Sequence, residues 1–290
     1  MNQAAVLGIV GGALVLAAVA GRKSGAKKPS GGKGSSGGGK VTGPVVESRY
    51  SGDLEGLSDN PVQRSAEILN LIRIGRFDAP FVRLETSKGP LRARLNVSGR
   101  ALRVDGVRVS MNEADQQRAA DALGAHLLTP FLVDEIWKQA KARLEPKPQV
   151  WYADGTMAKR GRVFDFDAIV SAEAAKKSPG DFDLVSGEGK DWVLDSFAWS
   201  KPSQATNYGW HRPSGEKYQP LGRVHNLAHT DYSQLSRFVS SVAEVSEDGG
   251  QTWRTASFEE LLTSPTLFPL VSYERLPAAR HPGVPGGVLV

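Results

Sequence analysis

Residues 91–124 read LRARLNVSGRALRVDGVRVSMNEADQQRAADALG, and they decide the fold class. Leu91 to Val97 alternates apolar with polar side chains, so a strand there buries one face and wets the other. Leu102 to Met111 repeats the alternation around Asp105-Gly106, a dipeptide that accepts the positive φ angles of a two-residue hairpin turn. Ser110-Met-Asn-Glu113 has capping-box spacing, and the helix it opens stops at Gly124. Strand, hairpin and helix in direct succession predict an α+β protein with short local connections.

Upstream, Asn60 suits an N-cap and Pro61 the first helical position, with Ile68, Leu69, Leu71 and Ile72 as the apolar side of a helix to about Ile74. Downstream, Thr129-Pro130 starts another helix, which Pro146 ends. Asp134 and Glu135 lie in its first turns and Lys141 and Arg143 in its last, as the helix dipole prefers. Beyond Glu145–Pro148 a helix spans Phe164–Lys177. Strands, glycine turns and aromatics dominate from Asp181 to about Trp253, and a short helix begins at Phe258. The expected organisation is a mixed helix and hairpin part over 58–148, a β-rich part over 149–276 and a flexible tail over 277–290.

The first 57 residues are different in kind. Ala4–Ala20 (AAVLGIVGGALVLAAVA) carries no charge and, as a helix, spans roughly 26 Å, enough for a bilayer core. Ala18-Val19-Ala20 resembles a signal-peptidase site, but Met1-Asn2-Gln3 lacks the basic residues of a signal peptide. Arg22, Lys23, Lys27 and Lys28 follow at once. Residues 1–21 are therefore expected to be a transmembrane anchor or uncleaved signal, with the lipid bilayer as partner and the basic flank cytoplasmic. Residues 22–57 form a linker rich in Gly, Ser and Lys, which holds nothing to bury and can rest on anionic headgroups.

Charge weighs against one function class for the body. The 290-residue chain has a net charge of +5, but residues 1–50 hold seven Lys or Arg against one acid, leaving 29 basic and 30 acidic groups beyond. The folded part lacks the basic excess of a nucleic-acid binder. The absence of Cys removes disulfides, Cys-ligated metal and thiol catalysis.

Chemically capable side chains concentrate in one stretch. Of five histidines, His211, His225 and His229 fall here, with Tyr208, Trp210, Tyr232, Ser233, Asp231 and Arg237. Seven of the twelve Trp and Tyr residues lie between Trp192 and Trp253. Three chemistries fit. His211, His225, His229 and Asp231 form a donor set that zinc accepts, although no H-E-x-x-H pattern is present; otherwise no cofactor is implied. His211 or His225 as base, Asp231 as orienter and Ser233 as nucleophile would suit metal-free hydrolysis, without a G-x-S-x-G elbow. Tyr208, Trp210, Tyr232 and Arg237 would serve as binding residues, and the aromatic faces, including Trp199 and Tyr218, suit stacking on sugars.

Three resemblances attach to these residues. Tyr208-Gly-Trp-His211, followed by Asp231-Tyr-Ser-Gln234 and Arg237, resembles the Y-G-x-H and S-H-G-C-x-R motifs of L,D-transpeptidases. The Cys is absent, Gln234 stands at the motif His and Arg237 is one position early, so Cys-dependent transpeptidation does not carry over. Residues 100–239 are similar to an uncharacterised group of bacterial and phage-encoded proteins with YGWH, a Pro loop bearing a His, DYS(Q/H) and R-[FL]-V. That resemblance ranks His211, His225 and Asp231 above His229. Ser246-Glu-Asp248-Gly-Gly250-Gln-Thr-Trp253 resembles the sialidase-type Asp-box, in a single copy that implies a hairpin turn only.

The expected function is a membrane-anchored envelope- or phage-virion-associated protein acting on peptidoglycan as a hydrolase, with other envelope or virion proteins as further partners. The alternative is a non-enzymatic tethered structural or binding protein. A body that reaches the wall conflicts with a cytoplasmic body; delivery in a phage particle or signal cleavage would resolve it.

Overall fold

The computed structural model describes residues 52–150 and 155–286. The anchor expected at Ala4–Ala20 and most of the linker lie outside them. Among the described residues no helix is long and apolar enough to cross a membrane. The helices are α1 (Gly52–Glu55), α2 (Pro61–Arg73), α3 (Glu113–Ala122), α4 (Pro130–Gln139), α5 (Arg160–Lys177), α6 (Phe197–Ser200) and α7 (Phe258–Thr263). The strands are β1 (Phe81–Lys88), β2 (Leu91–Ser98), β3 (Arg103–Val104), β4 (Val107–Arg108), β5 (Ala125–Leu127), β6 (Ala142–Arg143), β7 (Val185–Ser186), β8 (Lys190–Trp192), β9 (Gln204–His211), β10 (Lys217–Asn226), β11 (Gln234–Leu235), β12 (Phe238–Ser246) and β13 (Arg254–Ser257). The class is α+β.

Local chemistry accounts for the helix ends. Asn60 Oδ1 accepts from the amides of Val62 and Gln63, and Pro61 opens α2. The cap of α3 is Asn112 rather than Ser110, since its Oδ1 accepts from the Asp115 amide at 2.8 Å. Thr129 caps α4. This helix ends at Gln139, well before Pro146, because Ala140 turns extended and β6 then pairs in parallel with β7. Arg143 thus leaves the helix, yet it donates back to the carbonyls of Trp137 and Lys138 at the helix end.

Two sheets carry the fold. The larger has the order β1-β2-β12-β13, with β5 also on β12; the smaller has the order β10-β9-β8-β11. β1 and β2 pair in unbroken register from Phe81 opposite Ser98 to Lys88 opposite Leu91. β3 and β4 form the small hairpin around Asp105 and Gly106, both at positive φ. Because β12 lies beside β2, the expected parts 58–148 and 149–276 share a sheet and form one compact unit. The tail expected to be flexible is anchored at several points: Ala279, His281 and Val284 are buried, and Arg280 pairs with Asp121. Gly283 sits where a Cβ would collide with the Pro202 carbonyl.

The main core joins α2, α3, α4 and α7 to the larger sheet, with Leu84, Leu95, Val97, Ile136, Phe238 and Phe258 fully enclosed. A second core under α5 gathers Val163, Phe166, Val170, Trp210, Tyr232 and Leu235. Arg108 closes the latter's edge. Its Nε donates to Glu188 at 2.7 Å and its Nη1 to Asp167 at 2.9 Å. Burial alone would raise the Glu188 carboxyl, but Arg108, the Ala101 amide and Arg103 together hold the pKa below the ordinary value.

Arg108→Met should cost about 3–5 kcal/mol in urea unfolding, because two buried carboxylates lose the cation that hydrogen-bonds them. A depressed folded pKa stabilises above the unfolded value, so the wild type should lose stability as pH falls below about 4.5. The variant should show a shallower acid limb, read from melting temperature against pH.

Candidate functional site

A kink in β9 builds the polar centre. Gly209 and Trp210 both have positive φ, at +95° and +48°. In a regular strand, positions three apart face opposite sides. The left-handed pair cancels this, and Tyr208 and His211 both reach Asp134 on α4. His211 Nε2 lies 2.7 Å from Asp134 Oδ1, and the Tyr208 hydroxyl donates to both carboxylate oxygens at 2.9 and 3.1 Å. Tyr273 donates from the surface side at 2.5 Å, and Lys217 Nζ stands 3.6 Å away. The Trp137 ring stacks on the imidazole with centroids 5.9 Å apart. Gly209 is required, since a Cβ would come 2.8 Å from Val133 Cγ1.

Burial pushes the Asp134 pKa up, but the donors His211, Tyr273 and Tyr208 bring it below the ordinary carboxylate value. Burial and the neighbouring carboxylate push the Tyr208 and Tyr273 hydroxyls upward. His211 is 2% exposed, and among the described residues its Nδ1 has no hydrogen-bond partner. The group therefore holds a His–carboxylate pair with one ring nitrogen unengaged. Asp134 was expected to serve the helix dipole; its chemistry is invisible in sequence because its partners lie on β9 and the C-terminal segment.

The remaining expected site residues form a separate group. His225 pairs with Ala205 while His211 pairs with Lys217, so the two histidines sit at opposite ends of the β9–β10 hairpin, roughly 20 Å apart along the strand. The rings of His225 and His229 stack with centroids 3.7 Å apart, both edge-on to Trp192. Asp231 accepts from Lys190 Nζ at 3.0 Å. It also accepts from the Ser233 amide and hydroxyl at 2.8 and 2.6 Å, a turn motif. The Ser233 hydroxyl thus faces the carboxylate, not a histidine. No group of three or more metal-capable side chains occurs among the described residues. The four-ligand zinc set is accordingly divided between two places.

The expected binding residues Tyr208, Trp210, Tyr232 and Arg237 are buried. Trp210 Nε1 donates to the Gly187 carbonyl, and Tyr232 packs edge-on against Phe166. Arg237 is buried and forms a bidentate pair with Asp191. Open space lies elsewhere. One cleft of about 500 Å³ borders the start of α5, with Lys159, Arg160 and Arg162 facing Asp59 and Asp165. Another of about 390 Å³ lies between the β1–β2 hairpin and the turn at Ser246–Trp253. In that turn Asp248 accepts from the Thr252 hydroxyl and amide, the Ser246 hydroxyl and the Gln251 amide, which hold its carboxyl far below the usual range.

Burial, then the neighbouring His225, lowers the His229 pKa to about 4, and burial lowers His225 as well. An NMR titration of the His229 ring should therefore show a midpoint near 4. Stability should fall as pH drops from about 6.5 towards 4, because the unfolded imidazole takes up a proton that the folded one refuses. His229→Asn should flatten that limb; a wild-type midpoint near 6.5 would contradict a stacked, desolvated pair. Comparison of the chain with protein families, curated proteins and solved structures finds no match.

Proposed function

We propose that the protein is a membrane-tethered, envelope- or virion-associated binding module. One observation carries this choice over hydrolysis: the candidate base His211 and the candidate nucleophile Ser233 are closed in, whereas open clefts lie on other parts of the body. His211 is 2% exposed and Ser233 is 1% exposed, with its hydroxyl held by Asp231. A nucleophile and base need a reacting atom within hydrogen-bond reach of both. Here Asp134 holds His211 through Nε2 and Asp231 holds the Ser233 hydroxyl, as polar groups that specify a fold do. Ala4–Ala20 would supply the bilayer anchor, Gly21–Pro44 the tether, and the folded body the contact with peptidoglycan or another envelope component.

The full chain in detergent should co-sediment with purified peptidoglycan sacculi and release no soluble fragments. Fragment release that follows the protein through purification would overturn this reading.

A specific feature favours the enzymatic alternative. Asp134, rather than Asp231, orients His211, and Nδ1 is left unengaged beside a left-handed backbone of the kind found at strained functional sites. His211 would then be a general base through Nδ1. The two readings separate in His211→Ala. A structural histidine predicts a loss of about 1–3 kcal/mol with sacculus retention unchanged in the folded fraction. A catalytic one predicts lost fragment release at unchanged stability.

A further inference from the structure

The larger sheet's outer face bears two cross-strand rows: Glu85, Arg94 and Glu244, then Ser87, Arg92 and Ser246. The turn from Ser246 to Trp253 bends over these rows, and the Gly249 amide donates to the Pro90 carbonyl at 2.9 Å, joining the two hairpin tips. The resulting cleft of about 390 Å³ is walled by Trp253, Arg92, Arg94, Glu85, Ser87 and the glycine pair. Trp253 is fixed: its Nε1 donates to the Gly250 carbonyl, and the Arg94 guanidinium lies 3.8 Å over the ring.

The two arginines differ in charge balance. Arg94 faces Glu85 at 3.2 Å and Glu244 at 3.9 Å, so it is neutralised within the sheet. Arg92 Nη1 donates to the carbonyls of Gly89 and Leu91. Among the described residues Arg92 has no carboxylate partner, and its Nε and Nη2 make no hydrogen bond to protein. That edge of a guanidinium presents two parallel donors matched to a carboxylate. A rigid indole, an unbalanced arginine fork, the Ser87 hydroxyl and the Glu85 carboxylate together suit a ring that is apolar on one face and carries both hydroxyls and an acid.

We infer that this cleft binds a carboxylate-bearing saccharide, with Arg92 on the carboxylate, Trp253 as the apolar wall, and Ser87 and Glu85 on the hydroxyls. This names the ligand class of the binding module proposed above and rests on that reading.

The test is calorimetric titration of the full chain in detergent with tri-galacturonate and with its methyl ester, which keeps the sugar and removes the charge. Saturable binding of tri-galacturonate is expected, with the ester about tenfold weaker or more. Arg92→Gln should weaken tri-galacturonate by a similar factor at unchanged melting temperature, and Arg92→Lys, which keeps charge without the fork, should fall between. No saturable binding, or binding indifferent to both Arg92→Gln and esterification, overturns the inference. Its failure is separable from that of the envelope-binding reading. Sacculus retention without saccharide binding removes this site alone; saccharide binding without retention on any envelope fraction removes the wider reading.

Discussion

The left-handed pair Gly209-Trp210 is the constraint on which the two cores depend. β9 lies between β8 and β10, so its side chains must be shared between layers. The kink leaves Tyr208 in the main core and turns Trp210 into the second core beside Phe166. It also returns His211 to the side of Asp134. A non-glycine residue at positive φ costs about 1 kcal/mol or more, and it persists only where the surroundings fix it. Here the fixing is done by the Trp210 hydrogen bond to Gly187 and by the three donors that converge on Asp134.

Several of the buried charges follow one pattern. Asp191 meets Arg237, Asp231 meets Lys190, Glu188 and Asp167 meet Arg108, and Asp134 meets His211 with two tyrosines. An unpaired charge in such places would be severely destabilising, so each is held by hydrogen bonds. A histidine beside a carboxylate is therefore weak grounds for catalysis in this molecule. The same geometry serves a catalytic pair and a fold-specifying one, and solvent access distinguishes them. This weighs the open clefts above the buried polar motif.

What was legible in the sequence was local. Asn60-Pro61, Thr129-Pro130 and Asp105-Gly106 declare two helix starts and a hairpin through short-range sterics and capping, and the Asp-box turn declares itself in the same way. β1 was harder, because Phe81 and Val82 are adjacent and Glu85 to Lys88 resembles a polar loop; its strand character comes from pairing with β2. Asp134 and Tyr273 escaped notice because the centre they join is assembled from α4, β9 and the C-terminal segment. The Pro- and Gly-rich composition of 277–286 suggested looseness, yet Ala279, His281 and Val284 fill gaps beside α3 and β9. Composition reports how a segment behaves alone, and these residues owe their order to contacts made at long range.

The placement of β12 against β2 also carries a consequence for how the chain folds. The Phe238 amide donates to the Ser98 hydroxyl across 140 residues of sequence. The central pairing of the larger sheet therefore closes only after a very long loop has been brought together. Loop closure must precede the contacts that reward it, so proteins dominated by such pairings reach the native state slowly. Until then the β1–β2 hairpin presents an unpaired edge to any other strand nearby. Self-association during refolding is consequently a hazard set by strand order, independent of what the finished protein binds.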